Sequence, residues 1–344
     1  MIRSLAPGRL RAGAWAIALA LPLMFGGFAA FADPAPVERL AIRTWPIEKF
    51  KMGSDATRFG PLEFVGGLEM ASPSWNFGAL SAFRFLEPGS TFVGVADTGF
   101  WFFGRLTHDA QGRPSGIEDF TMQQMVNAQG DIVGEKGATD AEGLAVRDGI
   151  ATAGFEREHR VSEFRIESQD MKSAVRDLDF LVPSHELRRN RGFETIAFSH
   201  PDGIHAGARV VVSEKSLDKD GNIFAAIIEG PAKGVFTIVR KGDFDITDGT
   251  FLPDGDLLLL ERSYSIGRGV GLRLRRIQGD SIRKGAVVDG PILMQADMGY
   301  QIDNMEGMDV WRRADGALMV SLISDDNYSL LQRNLYLEFI LHDE

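Results

Sequence analysis

Residues 142–156, Glu142-Gly143-Leu144-Ala145-Val146-Arg147-Asp148-Gly149-Ile150-Ala151-Thr152-Ala153-Gly154-Phe155-Glu156, run from an acid through a short apolar stretch, an Asp-Gly turn and a second apolar stretch to another acid. Asp-Gly between two such runs is a hairpin signal, because a tight turn needs positive φ at its centre. The plan recurs from Asp248 to Glu261 across Asp254-Gly255, and from Glu306 to Asp325 across Asp315-Gly316. Looser copies join Ser81 to Asp97 across Pro88-Gly89 and Glu194 to Glu214 across Ala206-Gly207. One structural unit is therefore used repeatedly, and each copy delivers carboxylates to a similar place. Taking Glu142, Glu194, Asp248 and Glu306 as equivalent, the copies are 52, 54 and 58 residues apart. That is somewhat more than the ~40 to 50 residues of familiar propeller blades and suits four strands with long loops. The expectation is an all-β chain forming a β-propeller of five or six blades around an acidic central channel. Strands around Leu40 to Thr44 and Leu62 to Met70 complete a sixth blade or close the ring.

The rest of the chain agrees with that class. Thr91–Ala96, Ala208–Ser213, Asn222–Ile228, Val235–Arg240 and Leu257–Leu260 are short, apolar and often β-branched, with Gly, Pro, Asn or Asp at their borders. Helical periodicity is weak; Asp170–Phe180 and His185–Asn190 each suit a short turn or helix. The 344 residues are 44% hydrophobic and 25% charged, enough for a large core, and a repeat architecture favours one domain over residues 33–344. A net charge of −11 without a basic stripe excludes a nucleic-acid-binding surface. Residues 1–32 read as a secretory signal peptide, with Arg3, Arg9 and Arg11 before an apolar segment and Ala30-Phe31-Ala32 as the cleavage site. The alternative for that segment is an uncleaved membrane anchor. With no cysteine, stability rests on packing, and a periplasmic or secreted bacterial protein without stable membrane insertion is expected.

Several short motifs fall in one order: Gly66-Gly67-Leu68-Glu69, Ser81, Asp97-Thr98-Gly99, Asp140-Ala141-Glu142-Gly143-Leu144, Phe155 to Arg160, Asn190-Arg191-Gly192-Phe193-Glu194, Leu260-Glu261-Arg262, Asn304-Met305-Glu306-Gly307 and Ser324 to Tyr328. The ordered set resembles the phytase-like domain of exported bacterial proteins, the "esterase-like activity of phytase" family, from about Phe64 to about Phe339. The resemblance implies a propeller whose recurrent Glu and Asp residues form a phosphoesterase or phosphodiesterase site.

The residues support that chemistry independently. Carboxylates converging on one axis repel one another, so they hold protons at raised pKa or take up a cation. Hard oxygen donors in a ring suit Ca²⁺ best, then Mg²⁺ or Mn²⁺. The expected metal ligands are Glu142, Glu194, Glu306, Asp97, Glu261 and Asp325, and the expected catalytic residues Glu142, Glu156, His159 and Glu306. Arg157, Arg160 and Arg262 are the candidates for gripping the phosphate of a small-molecule ester. The bland reading is that the acids only hydrogen-bond neighbouring blades, and that 156–160 is a solvated hairpin loop. Within enzymes the alternative is a calcium-dependent lactonase or carboxylesterase propeller; outside them it is a non-catalytic periplasmic propeller that binds a ligand or protein.

Other signals carry less. Asp218 to Asn222 opens like a calcium loop but lacks the rest of an EF-hand, and reads as a hairpin turn. His200 and His205 flank a turn and do not make a zinc site. No Gly-x-Ser-x-Gly elbow, Walker loop or dinucleotide fingerprint is present. Phe100-Trp101-Phe102-Phe103 alternates as a strand buried between blades, in preference to a substrate-stacking platform.

Overall fold

The computed structural model describes residues 36–127, 129, 131–132, 139–167, 171–183, 185–187 and 192–342. The expected signal peptide, Asp170, and the motif residues Asn190 and Arg191 lie outside them. The described chain folds as a five-bladed β-propeller. From the axis outward, blade 1 runs Leu80–Phe85, Thr91–Ala96, Phe100–His108, Pro114–Gln124 and Val37–Arg39. Blade 2 comprises Ala141–Arg147, Ile150–Phe155, Arg160–Arg165 and Arg176–Leu178. Blade 3 holds Phe193–Phe198, Arg209–Leu217, Ile223–Ile227 and Gly234–Ile238, with Val287–Val288 at its edge. Blade 4 is Asp245–Phe251, Leu257–Ser265, Gly269–Ile277 and Ile292–Ala296.

Blade 5 settles the number of blades. Its strands Asn304–Arg312, Leu318–Asp325 and Asn334–Leu341 come from the end of the chain, and its next two, Leu62–Ala71 and Arg43–Ile47, from near the beginning. The N-terminal strands thus close the ring instead of forming a sixth blade. Each inner strand packs against the next around the axis, and that of blade 5 meets that of blade 1.

The core consists of five apolar clusters, one in each interface between neighbouring blades. A strand between two such interfaces is buried on both faces, which explains the unbroken apolar runs. Leu257 and Leu259 face blade 3 while Leu258 and Leu260 face blade 5. Phe102 likewise packs toward blade 5, stacked on Phe120, and Trp101 toward blade 2, edge-on to Phe164. The aromatic run is core, as its alternation predicts. Asp218–Asn222 is the expected hairpin turn, with Asp218 Oδ1 accepting from the amides of Asp220 and Asn222.

Candidate functional site

Near the start of every inner strand the pairing with the second strand slips. Leu80 pairs with Ala96 and Ala82 with Val95, leaving Ser81 over. The same slip isolates Glu194 in blade 3, Thr247 in blade 4 and Glu306 in blade 5. In blade 2 it spans Glu142-Gly143, between the pairs Ala141–Phe155 and Leu144–Ala153. A bulge inserts a residue and re-aims its side chain. The equivalent positions are therefore Ser81, Glu142, Glu194, Thr247 and Glu306: three carboxylates and two hydroxyls. On the second strands, the residue just beyond the last pair before the slip is Asp97, Glu156, Glu214, Arg262 or Asp325 in turn.

These two rows meet at one mouth of the ring. Carboxylate oxygens of Asp97, Asp140 and Glu142 lie within 4.8 Å of one another, as do those of Glu156, Glu194 and Glu214. Arg262 stands 3.6 Å from Glu214 and 3.4 Å from Glu306, and Glu306 feels the charge of Asp325. Two donors brace the acids from behind: Arg157 Nε reaches Asp140 Oδ2 at 2.8 Å, and the Gly192 amide donates to Glu156 Oε1 at 3.0 Å.

Burial sets the electrostatics. It raises Glu142 well above the usual carboxylate range, with Glu156, Asp97 and Asp140 adding repulsion. Glu194 is raised well above that range too, by burial and then by Glu142 and Glu214. Burial pushes Glu306 up to about 8 against the pull of Arg262, and Asp325 up to about 7, where Asp97 and Asp326 add to it. Each of these groups is costly to ionise alone, and a divalent ion among them removes that cost. The oxygen-only donors of both triads fit a hard cation, so these clusters could hold a metal ion.

The structure brings together Asp97, Glu142, Glu156, Glu194, Arg262, Glu306 and Asp325, but not Glu261. Glu261 lies one residue before Arg262, so strand alternation turns it into blade 4, where Arg273 and Arg275 neutralise it. Asp248 is displaced likewise, one residue past the bulged Thr247. Its carboxylate takes a bidentate grip from Arg84 at 2.7 and 2.8 Å and the amides of Met308 and Gly249 at 2.8 and 2.7 Å. Residues 156–159 form the turn between two strands, which places Arg157 and His159 in the hairpin loop. Arg157 is committed to Asp140, and Arg160 stacks 3.7 Å over the Phe155 ring. Asp140 and Glu214 were missed as site residues; the signal for each was an acid flanking an apolar strand.

A family profile described as "Phytase-like: Esterase-like activity of phytase" matches residues 76–328. The chain belongs to the esterase-like activity of phytase family. No curated protein sequence matches it. Solved structures similar to this phytase-like chain include a Thermus thermophilus oxidoreductase described as a glucose dehydrogenase, at 13% identity and TM-score 0.40, covering 80% of this chain and 99% of that one. An endo-arabinase from Bacteroides thetaiotaomicron has 12% identity and TM-score 0.42, with 75% and 95% covered. The WD40 domain of Toxoplasma gondii coronin has 8% identity and TM-score 0.34, with 91% and 90% covered. Likenesses this distant say nothing of what the phytase-like propeller acts on.

Proposed function

We propose that this phytase-like propeller hydrolyses phosphate esters at its acidic mouth with a divalent cation, Ca²⁺ before Mg²⁺ or Mn²⁺. The supporting observation is that two carboxylate triads and one guanidinium, Arg262, occupy a single ring. When bound, a divalent ion supplies Lewis-acid polarisation of a phosphoryl oxygen and a water of lowered pKa. Either triad, Asp97, Asp140 and Glu142 or Glu156, Glu194 and Glu214, would hold it. Arg157 and the Gly192 amide keep Asp140 and Glu156 oriented. Arg262 fixes a phosphoryl oxygen, and Glu306 beside it carries the proton needed by a departing alkoxide. His159, in the turn after Glu156, is the second proton carrier in this reading. Export belongs to this proposal as an expectation; among the described residues no helix is long and apolar enough to cross a membrane.

The test is thermal unfolding after chelation and after return of each ion, paired with assays on phosphomonoesters and phosphodiesters. A ligand held only by the native state adds about 2.7 kcal/mol at a hundredfold excess over its Kd. One ion is expected to raise Tm clearly, Glu142→Gln to lose that rise, and Glu142→Gln and Glu306→Gln each to lose at least ~10²-fold of the hydrolysis. Unchanged Tm with every ion, and activity intact in both variants, refutes the reading and favours a binding propeller.

A further inference from the structure

Beside the acidic mouth lies a cavity of about 430 Å³, and Arg262 belongs to both. Its lining is mostly apolar, with Tyr264, Val270, Met298 and Leu331 among its walls. Three of these are unusually open to solvent: Leu331 is 93% exposed, Tyr264 67% and Met298 52%. Large apolar side chains left bare around a concavity mark a surface that something apolar covers.

The charges narrow what that is. Asp303 also lines the cavity, but its carboxylate accepts from the Arg333 amide at 3.1 Å and lies 3.7 Å from the Arg333 guanidinium. The cation lining the cavity is Arg262, loosely ion-paired with Glu306 and Glu214. Its Nε is buried with no hydrogen-bond acceptor among the described residues, and its two carboxylate neighbours stand beyond ordinary hydrogen-bond length, at 3.4 and 3.6 Å. The guanidinium is still 25% exposed, and an anionic oxygen arriving at it from the cavity gains a charge-assisted hydrogen bond. A ligand that satisfies both features has an anion at one end and hydrocarbon at the other. A substrate bearing many phosphates fits badly, because Arg157 is already held by Asp140 and the rest of the mouth is carboxylate.

We infer that the substrates are phosphate esters with an apolar organic arm, the phosphate on Arg262 and the arm in the cavity walled by Tyr264, Val270, Met298 and Leu331. This rests on the phosphate-ester reading above and specifies its substrate class.

The experiment is calorimetric titration of the whole protein, with the stabilising cation present, by methyl, butyl and octyl phosphate and by the polar-armed glycerol phosphate. Hydrolysis of nitrophenyl phosphodiesters with matching alkyl arms is measured in parallel. Each methylene that enters the cavity is expected to tighten binding about fourfold. Glycerol phosphate should bind no better than methyl phosphate. The double variant Leu331→Ser/Met298→Ser changes only exposed side chains and should flatten the chain-length trend while leaving methyl phosphate binding alone. A trend absent from the wild type, or one that survives the double substitution, overturns the inference. If the trend appears but no ester is hydrolysed, the cavity assignment stands and the catalytic reading falls; hydrolysis indifferent to arm length gives the reverse. Binding of no phosphate at all overturns both.

Discussion

Glu306 stands 3.4 Å from a guanidinium and still has its carboxyl pushed up to about 8, so desolvation outweighs the ion pair. Asp325, pushed up to about 7, and Glu142 and Glu194, raised well above the usual range, share that cause. Between the unfolded values of 3.8 and 4.5 and the native values of about 7 and about 8, the native state binds more protons than the unfolded one. Cation-free stability therefore falls as pH rises through that window. A cation held by the ionised carboxylates reverses this, so its effect on Tm should grow from pH 5 to pH 8, with proton release on binding. Melting curves with and without cation at several pH values check this; a cation-free Tm flat from pH 4.5 to 8 counts against it. The sequence showed which acids recur but misplaced two of them, since at Thr247-Asp248 and Glu261-Arg262 adjacent polar residues compete for each position. Only strand register tells them apart, and a shift of one residue turns the side chain to the other face.

At the level of the strand, a bulge puts the acid on the channel and the next residue against the neighbouring blade. That second position has little room. A Cβ on Gly143 would lie 2.6 Å from the Phe193 carbonyl oxygen and 2.9 Å from that of Glu194. The contacts are backbone, so Gly143→Ala forces blades 2 and 3 apart at the triads and should cost about 1–3 kcal/mol, with loss of cation stabilisation. Gly267→Ala, with open space at its Cβ, is the control. Equal Tm for the two variants would show that the blades yield freely there. The Glu-Gly pairs at 142–143 and 306–307 thus join a candidate site residue to a packing requirement. The hairpins around Asp148-Gly149, Asp254-Gly255 and Asp315-Gly316 were legible because turn chemistry is local. The bulges were not, because they are defined only against a partner strand.

Across the whole ring, closure depends on Leu62–Ala71 pairing with Asn334–Leu341, a contact between the two ends of the described chain. A sequence period locates the repeats but cannot say where the first strands go, which left the blade number open. The inner strands are also tied across the channel by Arg84. Besides Asp248 in blade 4, it donates to the carbonyls of Phe83 and Met308, in blades 1 and 5, at 2.7 and 2.8 Å, and to that of Ile196, in blade 3, at 3.4 Å. Arg84→Met strands the buried Asp248 carboxylate and should destabilise the fold by about 3–5 kcal/mol, whereas Arg84→Met combined with Asp248→Leu should recover much of that loss. Denaturant unfolding decides it, and a single variant no less stable than the double would show that the pair does not brace the ring. Arg84 thus crosses the channel between blades 1, 3, 4 and 5, behind the acidic mouth. In the proposed hydrolysis substrate and product would then share that mouth, and inorganic phosphate is expected to inhibit by competing with the next ester.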